Sequence, residues 1–155
     1  MKNRIVLLGL FFLFQCYSCL AQEKNNIVYG VFDGRTPCQE LAKQLNVKTG
    51  SECIKIKWRL ILYKDSITGA PTVYNLMGFV YRNENVRRGK WQIMKGTDTN
   101  PEAVVYQLAH QDSSFLLLLE ADQNILLFLD RNKKLMVGNK DFSYALSRVA
   151  KKITR

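Results

Sequence analysis

The sequence predicts an all-β domain, an antiparallel barrel or sandwich, and three observations support this prediction. Short apolar segments recur along the chain between turns rich in Gly, Pro, Asn and Asp. One of them, Ile54 to Tyr63, alternates apolar and basic residues with the two-residue period of a strand. Only Pro37 to Leu45 has the pattern of a helix, so parallel βαβ architecture is disfavoured.

The first strand is predicted at Ile27 to Asp33, and Gly34-Arg35 then predicts a turn. Thr36 can cap a helix N-terminus, and Pro37 suits the first helical position. Gln39 can complete a capping box, and the residues that follow place a short apolar face on one side of a helix. The sequence therefore predicts one short helix from Pro37 to Leu45.

The alternating strand has a defined register, because its apolar residues share one face only if the segment is extended. On a helix they would scatter round the axis. The residues predicted to point inward are Ile54, Ile56, Trp58, Leu60 and Leu62. The residues predicted to point outward, on a solvated face, are Lys55, Lys57 and Arg59.

Turn-forming residues delimit the remaining strands, which bring the total to eight or nine. Turns are predicted at Asp65 to Pro71, at Asn83 to Gly89, at Thr97 to Pro101 and at Asp130 to Lys134. A polar segment, Glu120 to Asn124, separates two apolar runs as in a hairpin. The strands predicted between these turns are Thr72–Tyr81, Lys90–Ile93, Ala103–Leu108, Phe115–Leu119, Ile125–Leu129, Leu135–Val137 and Phe142–Arg148.

The two apolar runs, Phe115 to Leu119 and Ile125 to Leu129, are apolar on both faces of a strand. Such a strand needs cover on both sides. The helix, a partner chain or an apolar ligand could supply that cover, and barrels of about eight strands can hold one small ligand.

The first 21 residues have the features of a secretory signal peptide. Lys2 and Arg4 provide a positive start, and Ile5 to Phe14 form an uninterrupted apolar run. At about ten residues this run is too short for a bilayer, which needs roughly twenty. We expect cleavage after Ala21, which leaves residues 22–155 as a single domain.

Two alternatives at the N-terminus stay open: lipid attachment at Cys19 and a retained membrane tail. Each reading with a processed N-terminus places the protein outside the cytoplasm, in the periplasm, outer membrane or cell surface. Lipidation would add peripheral membrane association. The formal charge of +10 falls to about +8 in the mature chain, and its spread from Lys24 to Arg155, together with export, disfavours a nucleic-acid partner.

Cleavage leaves two cysteines, Cys38 and Cys53, in a compartment that permits disulfides. We expect them to form a disulfide. A metal or redox site is the alternative, but neither cysteine belongs to a Cys-x-x-Cys pair, and His110 is the only histidine in the chain. No metal site and no cofactor are therefore predicted.

Catalytic residues are not indicated by the sequence. A serine or cysteine nucleophile would have to use His110 as its base, and this histidine lies in a predicted surface turn. The acidic residues form no evident pair, and no Gly-rich phosphate loop is present. We expect a non-enzymatic protein, with a small secreted enzyme as the competing class.

Three aromatic residues, Trp58, Phe79 and Trp91, either line a ligand cavity or fill the core, and they are the candidate ligand-binding residues. The methionines Met77, Met94 and Met136 lie in separate predicted strands, as core fillers do. We therefore expect an apolar small ligand or an envelope protein as partner, rather than tightly bound copper.

Four short motifs, in this order, resemble the N-terminal domain of the NlpE copper-resistance and envelope-stress lipoprotein family. They are Tyr29-Gly30 before Pro37-Cys38, the segment Leu62-Tyr63-Lys64-Asp65, the turn Gly89-Lys90-Trp91, and Leu129-Asp130. The resemblance covers most of residues 28 to 148.

The resemblance implies a small lipocalin-like β-barrel that faces the periplasm or cell surface and has a role in copper tolerance or envelope stress. Family members typically continue the Pro-Cys motif to Cys-x-x-Cys. Here Cys38 is followed by Gln39, Glu40 and Leu41, so the resemblance does not extend to a metal site at this motif.

Overall fold

The computed structural model describes residues 25–45, 47–78, 86–110 and 114–149, and these ranges contain eight β-strands and one short α-helix. The helix, α1, spans Gln39–Gln44 and follows the first strand. The strands are β1 (Asn26–Pro37), β2 (Lys55–Asp65), β3 (Pro71–Gly78), β4 (Arg87–Lys95), β5 (Val104–Ala109), β6 (Phe115–Asp122), β7 (Ile125–Leu129) and β8 (Ala145–Arg148).

Each strand pairs antiparallel with the next, and β8 returns to β1, so the sheet closes into a barrel. Closure depends on Gly34, which pairs with Leu146. A Cβ atom at Gly34 would lie 2.4 Å from the carbonyl oxygen of Ala145, so only glycine permits this approach of the two backbones. The predicted small antiparallel barrel with one short helix is confirmed, and the sandwich alternative is excluded.

The barrel has two different ends. The mouth end carries the turns at 66–70, 96–103 and 123–124, together with the start of β1 and the end of β8. The helix end carries α1 and the long connection 130–144 between β7 and β8. Leu41, Ala42 and Leu45 of the helical segment are buried, and Leu41 and Leu45 pack into the main core and close this end.

The turn predicted at Gly34-Arg35 is wrong, because β1 continues without interruption to Pro37. The extra residues pair with β2 as far as Lys55, which provides more backbone hydrogen bonds than a turn would. Thr36 does not cap the helix. It is fully buried, and its hydroxyl oxygen accepts a hydrogen bond of 2.8 Å from the indole N–H of Trp58.

The register predicted for β2 is confirmed at Ile56, Trp58, Leu60 and Leu62, which are buried. The three basic residues that alternate with this face, Lys55, Lys57 and Arg59, are exposed. Ile54 is the exception. Its side chain is 70% exposed, because the strand begins at Lys55, whose partner Pro37 is the last residue of β1. Ile54 therefore lies beyond the sheet, where no inner face exists.

In the folded chain the inner face of the two apolar runs is buried and most of the outer face is covered, while Ile125 at the start of the second run stays exposed. Leu116, Leu118, Leu126 and Phe128 belong to the main core inside the barrel. On the outer face a second cluster of buried residues forms, with partly buried neighbours packed round it. This outer cluster consists of Val105, Leu117 and Leu129, with Met94, Phe115 and Leu119 against it. Neighbouring strands therefore supply most of the cover that these runs need.

Other boundaries differ modestly from the prediction. Strand β4 begins at Arg87, within the segment predicted as a turn, because Gly89 pairs with Tyr74 of β3. Leu135 forms only an isolated bridge with Leu129, so the predicted Leu135–Val137 strand is absent from the described ranges. The last strand begins at Ala145 rather than Phe142. Eight strands, rather than nine, build the barrel.

Some predictions concern residues outside the described ranges. These are the signal peptide at 1–21 with Cys19, the candidate ligand residue Phe79, and the end of the predicted third strand at Tyr81.

Candidate functional site

The predicted disulfide between Cys38 and Cys53 is confirmed, with the two Cα atoms 5.8 Å apart. It joins the residue before α1 to the segment before β2, at the helix end of the barrel. Gln39 supports the same connection, since its side-chain N–H group donates to the carbonyl oxygens of Gly50 and Cys53. Covalent and hydrogen bonds together fix the chain between helix and strand.

A groove of about 480 Å³ lies directly over this disulfide, and we call it the disulfide groove. Cys38 and Cys53 line it, together with Glu40 from the helix. Ile54 and Val137 also line it, and their side chains are 70% and 85% exposed. Other large apolar residues of the chain are exposed as well, Ile67 among them, but Ile54 and Val137 share one concave surface.

A polar pair lies beside these apolar residues. The hydroxyl of Tyr144 donates a hydrogen bond of 3.4 Å to a carboxylate oxygen of Glu40, and both residues line the disulfide groove. Burial raises the pKa of Tyr144 to about 12, and the charge and hydrogen bond of Glu40 add to the increase. Tyr144 therefore stays protonated at neutral pH. The groove therefore combines exposed apolar residues with a hydrogen-bonded hydroxyl and one carboxylate.

The candidate ligand residues Trp58 and Trp91 are both 3% exposed and belong to the main core. Their indole N–H groups are already bonded within the chain, Trp58 to the hydroxyl of Thr36 and Trp91 to the carbonyl oxygen of Tyr63 at 2.7 Å. The structure thus places both rings among packed side chains inside the barrel. Phe79 lies outside the described residues.

The mouth end contains an aromatic cluster with cations over its rings. Tyr29 stacks on Trp91, with ring centroids 5.7 Å apart, and its hydroxyl lies 3.0 Å from that of Tyr106. The ammonium of Lys64 is 3.7 Å from the Tyr29 ring centroid, a cation–π distance. Arg148 donates to the carbonyl oxygen of Tyr29. Burial is the main cause that raises the pKa of Tyr106, and its hydrogen bond to Tyr29 raises this pKa further.

Irregular pairing helps build this cluster. The strand registers shift at Tyr29 in β1, at Tyr63 in β2 and at Ala121 in β6, all near the mouth end. Such bulges turn side chains away from their regular direction. The cluster therefore lies at the mouth end, with its polar groups hydrogen-bonded within the chain.

His110 follows β5 and is half-buried at the helix end. Its ring nitrogen Nδ1 lies 2.9 Å from the hydroxyl of Tyr74, which also donates to the carbonyl oxygen of Ala109. The ring therefore has a hydrogen-bond partner in the strand below it.

Comparison with protein-family models, with curated proteins and with solved structures finds no match to this chain. No helix in the described ranges is both long enough and apolar enough to cross a bilayer. In the same part of the chain, no group of three or more His, Cys, Asp or Glu side chains is placed to hold a metal ion.

Sequence reasoning missed most of the disulfide groove. It identified Cys38 and Cys53, but it predicted Ile54 to be buried and Val137 to lie in a strand. Tyr144 and Glu40 are separated by 104 residues, and no local pattern connects them. The only available signal was the cysteine pair itself, which brings the start of α1 to the start of β2.

Proposed function

We propose that this protein is an exported, non-enzymatic β-barrel of the cell envelope that binds a protein partner through the disulfide groove. The observation that supports this most directly is the position of Ile54 and Val137, both strongly exposed and both in one groove. Exposed apolar residues in a concave surface with a polar margin are typical of protein interaction sites. The disulfide ties Cys53, next to Ile54, to the start of α1, and such a restraint lowers the entropy that binding costs.

Export is supported by the disulfide, since such bonds persist in oxidising compartments. The signal-like first 21 residues support the same location. The resemblance to the NlpE family adds an envelope-stress or copper-tolerance role. In that role the groove would recognise a partner protein rather than a metal ion, because Cys38 and Cys53 are bonded to each other and are not available as thiolate ligands.

An apolar small ligand held by Trp58, Phe79 and Trp91 is the second candidate. It has weaker support, since a ligand would have to displace the packing of two indole rings that are each 3% exposed. The competing enzyme class depends on His110, and His110→Ala would abolish activity only if that class is correct.

Site-specific photo-cross-linking in the producing cells tests the groove. We expect a photoreactive amino acid at Ile54 or at Val137 to give the same discrete cross-linked product, because both side chains line one groove. Ile67 is the matched control: it is 80% exposed but lies in the turn after β2, at the mouth end.

The proposal requires that the control position give no such product. Identical products from all three positions, or no product from Ile54 and Val137 when the probe is incorporated, would contradict the assignment of the groove.

A further inference from the structure

The outer face of β1 and β2 places two positive charges side by side. Arg35 and Lys57 are direct cross-strand partners, and both are exposed. Like charges in such positions destabilise a sheet. The next pair on the same face is Asp33 and Arg59. The guanidinium of Arg59 donates hydrogen bonds to both carboxylate oxygens of Asp33, at 2.9 and 2.6 Å. Asp33, which lies on the same surface, is therefore already paired with a cation.

These two cations line a second groove of about 480 Å³, which we call the basic groove. Its opposite wall comes from the chain round β8 and includes the hydroxyl-bearing residues Ser143 and Ser147, both exposed. Within the described ranges neither Arg35 nor Lys57 forms an ion pair. The groove thus joins two uncompensated positive charges to two hydroxyl groups that can donate hydrogen bonds.

We propose that the basic groove binds a phosphate monoester. Two adjacent cations are matched by a dianion, and a phosphate monoester carries a charge of about −1.5 to −2 at neutral pH. A carboxylate or a phosphodiester carries a single charge and would leave one cation unpaired. Arginine binds phosphate oxygens in a bidentate manner, and lysine contributes a point charge beside it.

The basic groove does not depend on the partner proposed for the disulfide groove, because different residues line the two surfaces. The ester could be a soluble molecule or the headgroup of a lipid such as phosphatidic acid. Both present the same terminal phosphate, so the experiment has one arm for each source.

The first arm tests a soluble ester. The protein is isolated from its host and titrated calorimetrically with glycerol 3-phosphate at low ionic strength. We expect Arg35→Gln and Lys57→Gln each to weaken binding about tenfold, since each removes a charge-assisted hydrogen bond. The matched control is Lys90→Gln, an exposed cation of β4 outside the groove, which should leave the affinity unchanged.

A pH comparison separates a dianion site from general attraction to a basic surface. Between pH 7.5 and 5 the monoester gains a proton, since its second pKa is near 6, and its affinity should fall several-fold. Sulfate stays doubly charged over this range and should bind equally at both pH values. The charged groups lining the groove are Asp33, Arg35 and Lys57, with Arg59 paired to Asp33.

The second arm measures sedimentation with phosphatidylcholine vesicles that contain phosphatidic acid or phosphatidylglycerol. If the protein binds vesicles that contain phosphatidic acid and Arg35→Gln abolishes this binding, the ligand is a lipid headgroup. If the protein binds only glycerol 3-phosphate, the ligand is a soluble ester. Thermal unfolding checks the fold, and we expect neither glutamine variant to lower Tm because each relieves a repulsion. Equal weakening by Lys90→Gln, no effect of Arg35→Gln and Lys57→Gln, or no binding in either arm would overturn the proposal.

Discussion

Replacing Trp58 by alanine is expected to lower the free energy of unfolding by about 3 to 5 kcal/mol, the range for a large aromatic side chain removed from a core. The ring is 3% exposed and packs against Phe128, with centroids 5.9 Å apart. The substitution leaves a cavity in the barrel. It also removes the N–H group that bonds the buried hydroxyl of Thr36.

Two matched variants separate the causes. Trp58→Phe keeps most of the volume and loses the hydrogen bond, so we expect a loss of about 1 to 2 kcal/mol. Lys57→Ala, at the adjacent exposed position, should change stability by at most about 0.5 kcal/mol. Urea unfolding followed by circular dichroism measures all three. Equal losses at positions 57 and 58 would show that the assigned register of β2 is incorrect.

Removing the disulfide is expected to have the second largest effect, a loss of roughly 3 kcal/mol for a closed loop of this size. Cys38 and Cys53 are separated by 15 residues, and the bond restricts this loop in the unfolded chain. We expect the paired variant Cys38→Ala with Cys53→Ala to be less stable by this amount, because the unfolded ensemble gains the freedom that the bond removes.

Reduction of the wild-type protein by dithiothreitol provides the internal control. It should lower the unfolding midpoint as far as the double substitution does, and it should have no further effect on the variant. If dithiothreitol leaves the wild-type midpoint unchanged, the bond does not stabilise the fold as described.

The all-β class, the strand number and the disulfide could be predicted because each depends on local information. The alternation through Ile56, Trp58, Leu60 and Leu62 fixes one face of a strand wherever that strand lies. Cys38 and Cys53 are the two cysteines that follow the signal-like segment, and two cysteines allow a single intramolecular pairing.

The errors occurred where tertiary pairing determined the outcome. Gly34-Arg35 has the composition of a turn, yet the partners available in β2 and β8 keep it extended. Ile54 follows the alternation but lies one residue before the sheet begins. Leu117 and Leu129 seemed to need an external cover, whereas the fold buries both in an outer cluster.

The candidate sites were even less accessible to sequence reasoning. Val137 reaches the disulfide groove through the long connection before β8, and its position depends on how that loop packs. The pairing of Arg35 with Lys57 requires the strand register across a predicted turn. Separate segments of the chain therefore form each groove, and only the closed barrel brings them together.

Intact-mass spectrometry of the protein isolated from its native host tests most directly the claim that this chain is an exported, disulfide-closed domain. We predict a mature chain that begins at Gln22 and has no thiol available for alkylation before reduction, with both Cys38 and Cys53 alkylated after it. A lipid-modified Cys19 with the same bond would support export and establish an anchored form. A full-length chain that retains residues 1–21 and carries free thiols at Cys38 and Cys53 would contradict the account.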